Sequence, residues 1–300
     1  MTDSQEHRCG FVAVIGRPNV GKSTLINAVV GHKVSIVTPK PQTTRHRIVA
    51  VHTKPAVQIL FVDTPGLHKQ APKAMNRMMN RTASNAVSDA DLVLFLCEAN
   101  RWTQEDEMAL QKITSCGVPT IAVLNKMDKV HPREVLLQTI AEMSDRADFL
   151  EVIPMSAKSG NNLDRLLELI PQYLPVSGPL FPEDMQTDRS EHFHYAELIR
   201  EKLTLSLRQE VPYGLTVQIE RFAEEGNGVA MNAIIWVERD SQKGIVVGKG
   251  GKNLKKVGRE SRLELKSMLG MPVHLELWVK VKDNWADNEK ELQRLGYETP

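Results

Sequence analysis

Cysteine is scarce in this chain: Cys9, Cys97 and Cys116 are the only three in 300 residues. An odd count, wide spacing and no C-x-x-C pair exclude a disulfide framework and a cysteine-based zinc site, and a reducing compartment is expected. Neither sign of charge is in excess, since 38 Lys and Arg stand against 37 Asp and Glu for a formal net of +1. No global field announces a partner, so any basic surface must be local. Long hydrophobic runs are missing as well. No apolar stretch approaches the roughly 20 residues that span a bilayer, and the N-terminus, Met1 to Glu6, is polar and acidic, so a soluble protein is expected. The length is enough for about two domains, each with its own core.

What is present begins at residues 16–23, Gly-Arg-Pro-Asn-Val-Gly-Lys-Ser, which fit G-x-x-x-x-G-K-[ST] at every fixed position. Residues 11–15 are an apolar run that reads as a buried strand, and residues 24–30 read as a helix, which is the context this phosphate loop requires. Gly16 and Gly21 let the backbone turn until successive amides face phosphate oxygens, with the helix N-terminus adding positive dipole. Phosphate contacts are therefore assigned to Gly16, Asn19, Val20, Gly21, Lys22, Ser23 and Thr24, with Lys22 reaching the β and γ phosphates and the Ser23 hydroxyl on Mg²⁺.

Apolar runs at residues 57–62, 92–97, 120–124 and 149–154 alternate with helical patterns, which predicts a mostly parallel sheet flanked by helices. In such sheets a ligand sits beyond the carboxyl ends of the strands. The first of these runs stops at Asp63-Thr64-Pro65-Gly66, a D-x-x-G suited to holding Mg²⁺ through Asp63 and a γ-phosphate through the Gly66 amide. The third stops at Asn125-Lys126-Met127-Asp128. The Asp128 carboxylate can accept from both N1–H and the exocyclic amine of guanine, whereas adenine offers no such pair and leaves the charge unpaired. The last leads into Ser156-Ala157-Lys158, where the Ala157 amide is placed to donate to guanine O6.

These four elements in this order resemble the small guanine-nucleotide-binding domains, and the phosphate loop narrows the resemblance to the bacterial branch that includes the Era family. The resemblance implies that Pro41-Gln42-Thr43-Thr44-Arg45-His46-Arg47 is a switch segment whose Thr44, preferred over Thr43, completes the Mg²⁺ shell with Ser23 and Asp63. It also implies a second switch from Thr64 through about Arg81, a stretch with poor apolar periodicity that reads as mobile. Ras-like proteins carry a water-orienting Gln directly after D-x-x-G, but here the residue is Leu67, so slow intrinsic hydrolysis is expected and no catalytic side chain is assigned. His68, beside Lys69, reads as a solvated side chain, and Arg17 and Arg45 read as making solvent or backbone contacts rather than as arginine fingers. A K⁺ ion held near the phosphates by Asn19 is a hypothesis for the missing transition-state charge.

Pro, Gly and Ser concentrate at residues 171–179, which marks a domain boundary. Beyond it come a predicted helix over residues 191–209, with Ile199, Leu203 and Leu207 on one face, and a strand in which Leu215, Val217 and Ile219 alternate with polar residues. A turn at residues 225–228, a strand through Trp236 and Val237, and a closing strand over residues 273–282 complete the unit, with Trp278 and Trp285 read as packing. Between the last two strands lies Gly248-Lys249-Gly250-Gly251, a G-x-x-G turn followed by Lys252, Lys255, Lys256, Arg259 and Arg262. From Lys243 to Lys266 there are eight Lys or Arg against Glu260 and Glu264, a local excess of six in a chain of net +1. A row of cations beside such a turn is a footprint for a single-stranded phosphate backbone, assigned to Gly248, Lys249, Gly250, Gly251, Lys252, Lys255, Lys256 and Arg259.

The element order is that of a type II KH domain, so the expected architecture is an α/β G domain (residues 1–175), a linker (176–190) and an α+β KH domain (191–300). Over nearly its whole length the chain resembles the Era family. That resemblance implies a GTPase with GTP, GDP and Mg²⁺ as ligands, binding the 3′ end of 16S ribosomal RNA in maturation of the 30S subunit. It further implies a cytoplasmic monomer that does not bind DNA, with a fraction peripheral to the inner membrane. The alternative, kept open by Leu67, is an RNA chaperone or assembly factor in which nucleotide is a structural ligand. A tRNA-modification GTPase would share the phosphate loop, but no second catalytic domain or C-terminal reactive Cys is present.

Overall fold

The computed structural model describes residues 6–66, 73–208 and 211–297, which fall into two compact units that divide between Asp188 and Arg189, with Lys73–Met75 grouped in the second. In the first, β1 (Arg8–Ile15), β2 (Ile48–Lys54), β3 (Val57–Asp63), β4 (Leu92–Glu98), β5 (Thr120–Asn125) and β6 (Glu151–Pro154) form one sheet in the order β2-β3-β1-β4-β5-β6. All pairings are parallel except β2 with β3. The helices α1 (Lys22–Val30), α2 (Ala74–Ser88), α3 (Gln104–Cys116), α4 (Val135–Ser144) and α5 (Leu163–Leu169) alternate with the strands.

The continuous apolar runs have a physical cause: both faces of the central strands are covered. Val12, Val14, Leu94, Leu96 and Val123 pack on one side with Leu25, Ile26, Leu166 and Ile170. Ala13, Ile15, Val93, Phe95, Ala122 and Leu124 pack on the other with Leu110, Ile113 and Leu136. Strand periodicity therefore vanishes, and each strand ends where side chains turn toward the ligand edge.

Two details differ from the sequence reading. The stretch through residue 81 was expected to be aperiodic, yet residues 74–88 form α2, with Met79, Ala83 and Val87 buried at four-residue spacing. Methionine supplies the apolar stripe there, and its unbranched side chain suits a helix. Leu67, His68 and Lys69 lie outside the described residues. The stretch expected as a linker is hydrogen-bonded to the first sheet along much of its length. Gln58 Oε1 accepts from Leu180 N and Phe181 N at 2.8 and 2.9 Å. Thr187 bridges Ala50, and Val49 exchanges bonds with Asp188.

In the second unit α6 (Glu191–Ser206), β7 (Leu215–Glu225), β8 (Gly228–Val237), α7 (Asp240–Val247), α8 (Lys252–Leu269) and β9 (Val273–Val281) follow in the expected order. α6 stops before residue 209, although Leu207, just past its end, still enters the core. The sheet runs β7-β8-β9, antiparallel then parallel. Ile199, Leu203, Val217, Ile235, Val246 and Val257 form its core against the helices. Trp285 is fully buried beside Tyr297, whereas Trp278 is 57% exposed.

Candidate functional site

The loop between β1 and α1 lies at the carboxyl edge of the sheet, flanked by the ends of β3 and β4. Gly21 sits at φ 108°, and a Cβ there would come within 2.2 Å of Asn125 Nδ2. That approach is needed because Asn125 Nδ2 donates to Val20 O at 2.7 Å while its Oδ1 accepts from Ala157 N at 2.9 Å. One buried carboxamide thus laces the phosphate loop to both base-recognition segments. The Ala157 amide, assigned from sequence to guanine O6, is directed to Asn125 in this structure.

Lys22 is buried, and its ammonium donates to Gly16 O and Arg17 O at 2.9 and 3.1 Å. Burial brings its pKa down to about 8, against the raising influence of Asp63. Such an ammonium lacks a full countercharge, which polyphosphate oxygens supply. Ser23 Oγ donates to Asp63 Oδ2 at 2.9 Å and lies 2.9 Å from Thr44 Oγ1. Asp63 Oδ1 is buried with no hydrogen bond among the described residues. Burial raises the Asp63 pKa, with Lys22 and the Ser35, Ser23 and Thr44 hydroxyls opposing. A buried carboxylate with the Ser23 and Thr44 hydroxyls beside it is a hard-oxygen set of the kind Mg²⁺ takes. Thr43 is turned elsewhere, its Oγ1 donating to Lys40 O at 2.6 Å.

A cavity of about 620 Å³ runs from Ser23, Thr44 and Gly66 past Asn19 to Lys126, Lys129 and Lys158. Asp128, between Lys126 and Lys129 in the chain, is exposed, and its Oδ1 accepts from the buried Ser156 hydroxyl at 2.6 Å, which orients the carboxylate. Asn19 Nδ2 donates to Pro39 O at 2.8 Å.

In the second unit the G-x-x-G turn joins α7 to α8, with Gly250 at φ 61° and open space where a Cβ would be. Asn253 Nδ2 donates to Val246 O at 2.9 Å and ties the turn together. Beside it lies a cleft of about 490 Å³ with Leu254, Gly258, Leu275 and Leu277 as its apolar lining and Lys255, Arg259 and Arg262 as its cations. An apolar floor with a cationic rim suits bases laid flat under a phosphate backbone. Lys249, Lys252 and Lys256 are exposed on the same turn and helix.

Known proteins match both units. The sequence model described as 50S ribosome-binding GTPase matches residues 11–126, and that described as KH domain matches residues 210–286. GTPase Era of Vibrio vulnificus (strain YJ016) is 48% identical over 298 residues, covering 99% of this chain and 93% of that protein. The chain belongs to the Era family of GTPases. A solved Aquifex aeolicus Era variant bound to GDP and AlF4⁻ superposes with a TM-score of 0.92 at 39% identity, over 97% of this chain and 99% of that one. A solved Era in complex with MgGDPNP and nucleotides 1506–1542 of 16S ribosomal RNA superposes with a TM-score of 0.93, at the same identity and coverage.

The structure of this Era-family chain brings together most residues that the motifs named, and adds others. Arg17 makes ion pairs with Asp106 at 3.0 Å and Glu98 at 3.2 Å besides a backbone contact to Pro18 O at 3.4 Å, and it is buried, which corrects only the expectation of solvent contacts. A buried guanidinium needs carboxylates around it. Lys129 lines the nucleotide cavity one residue past the N-K-x-D motif. In the KH cleft, Leu275 and Leu277 line an open face, which the sequence does not reveal because alternation shows which face is apolar but not that the face is open. Arg262 continues the cation run at three-residue spacing from Arg259, which was a signal for it.

Proposed function

We propose that this chain is a GTPase switch that binds GTP and GDP with Mg²⁺, hydrolyses GTP to GDP and phosphate, and binds the single-stranded 3′ end of 16S ribosomal RNA during 30S subunit maturation. The observation that carries the nucleotide half is the buried Asp63 carboxylate, with one oxygen held by Ser23 and the other free of hydrogen bonds. Ser23, Thr44 and Asp63 are assigned as the residues that would hold Mg²⁺, directly or through water, and the bound ion would supply neutralisation of phosphate charge. Lys22 and the loop amides hold the phosphates, Asp128 reads guanine, and water attacks the γ-phosphate. Asn19, whose Nδ2 contacts Pro39 O, is proposed to help hold K⁺ through its remaining oxygen. Equal turnover in potassium and sodium buffers would count against that ion.

The RNA half is supported by the cationic cleft and by the likeness to Era solved with 16S nucleotides. Coupling between nucleotide and RNA is supported by Asp188, the last residue of the first unit, which is bonded to Val49 just after the Thr44 segment. Residues 1–175 are assigned to GTP, 176–190 to the connection and 191–300 to RNA. Among the described residues no helix is long and apolar enough to cross a membrane. By family resemblance the protein is assigned to the cytosol as a monomer, with a fraction peripheral to the inner membrane that cell fractionation tests.

The deciding experiment measures affinity for a short single-stranded RNA from the 16S 3′ end, with a non-hydrolysable GTP analogue, with GDP and with neither. A tenfold change with nucleotide, about 1.4 kcal/mol, together with loss of binding in Gly250→Asp, is the expected result. Equal affinities in all three states would point instead to an assembly factor with nucleotide as a structural ligand.

A further inference from the structure

Glu98 belongs to none of the nucleotide motifs. It is the last residue of β4, paired in register with Asn125 on β5, and its side chain is 16% exposed. Its Oε2 lies 3.2 Å from Arg17 Nη2, and its Oε1 accepts from Lys126 Nζ. The same Lys126 ammonium donates to Asn19 O at 2.7 Å. Arg17 and Asn19 both belong to the phosphate loop, so the contacts Arg17 to Glu98 to Lys126 to Asn19 close into a ring with the loop backbone as its fourth side. Arg17 is anchored again by Asp106 Oδ2, 3.0 Å from its Nε. Asp106 in turn accepts from Thr103 N and Oγ1 at 2.9 and 2.7 Å in the capping box of α3. One carboxylate therefore ties the crest of the phosphate loop to the loop that reads the base.

Two cations facing a single carboxylate attract it and repel each other. Removing its charge leaves Arg17 and Lys126 with mutual repulsion and loosens the spacing between their loops. A guanine nucleotide held at both ends escapes when that spacing opens, so a rigid spacing slows departure more than it changes arrival. Among the described residues, Thr44 and Gly66, which are assigned to the γ-phosphate side, make no hydrogen bond to Glu98, so GDP and GTP should feel the effect alike.

We propose that Glu98 is a positioning residue that sets the distance between the phosphate loop and the guanine loop and thereby governs nucleotide release. The proposal rests on the guanine-nucleotide reading above. Its test is stopped-flow release of fluorescent GDP and of a fluorescent non-hydrolysable GTP analogue from the full chain, in wild type and Glu98→Gln. Single-turnover hydrolysis and the thermal midpoint are measured alongside. Both nucleotides should leave the variant tenfold or more faster, while association and single-turnover hydrolysis stay within twofold. Release rates within twofold of wild type, or acceleration of one nucleotide only, overturn the proposal. Where Glu98→Gln does not accumulate as folded protein, Glu98→Asp applies the same readouts, because the shorter side chain cannot reach both cations. Failure of the wild type to bind guanine nucleotide would overturn the functional reading itself; tight wild-type binding with unchanged variant release overturns only the role of Glu98.

Discussion

Thr44 Oγ1 lies 2.9 Å from Ser23 Oγ, although 21 residues separate them in the chain, and the Ser23 hydroxyl donates to Asp63 Oδ2 at 2.9 Å. The Thr44 hydroxyl thus lies beside the Ser23–Asp63 pair. Thr44→Val keeps the shape and removes the donor oxygen. Affinity for a non-hydrolysable GTP analogue at saturating Mg²⁺ should fall about tenfold, roughly 1.4 kcal/mol, with GDP affinity within twofold of wild type. Calorimetry on both ligands checks this, and equal losses would reduce Thr44 to a structural role.

His52 on β2 has its pKa lowered from 6.5, first by burial and then by Lys54, while a backbone bond to Val29 acts in the opposite direction. A base whose folded pKa is depressed contributes stability above its unfolded pKa, and that contribution is lost as pH falls through the folded value. Stability should therefore decline as pH drops below about 6.5, and His52→Gln should remove part of the decline. The expected readout is a wild-type advantage in thermal midpoint at pH 7.5 that shrinks or reverses at pH 5.5. A gap that is constant with pH would exclude His52 as the source.

Gln58 is fully buried, accepting from Leu180 N and Phe181 N and donating to Phe181 O at 2.8 Å and Thr53 Oγ1 at 3.1 Å. Gln58→Leu fills the same space but orphans these backbone groups, at a cost of about 2–4 kcal/mol. Urea unfolding should show that loss. Limited proteolysis should show new cleavage near residues 178–186, and an unchanged cleavage pattern would mean the segment is held by other contacts.

Arg262, part of the cation run in the sequence but not of the residues assigned to RNA, lines the KH cleft. If it contacts a phosphate, Arg262→Ala should weaken single-stranded RNA binding across sequences and lower the slope of log affinity against log salt by about 0.7. A salt titration on two unrelated RNA sequences is the check. Loss restricted to one sequence would mean that the residue reads a base.

The nucleotide site was legible because its chemistry constrains residue type at fixed spacing. Gly21 must lack a Cβ where Asn125 approaches, and Lys22 and Ser23 must follow it at the helix start. Strands β1, β4 and β5 were legible because they are buried on both faces. By contrast, β2 escaped notice: an edge strand that follows a switch segment and pairs antiparallel has no motif of its own. The helix α2 was hidden because its apolar stripe is written partly in methionine and alanine.

By itself the sequence determined the phosphate loop, the guanine preference, the order of the second unit and its basic G-x-x-G turn, since each depends on residues close together in the chain. Only the tertiary structure decided what joins them. Arg17 meets Asp106 across 89 residues, Asn125 meets Val20 across 105, and Gln58 captures Phe181 across 123. No local pattern encodes such pairs, because a buried charge or amide specifies only that some partner must be present, and the sheet order decides which side chain arrives there.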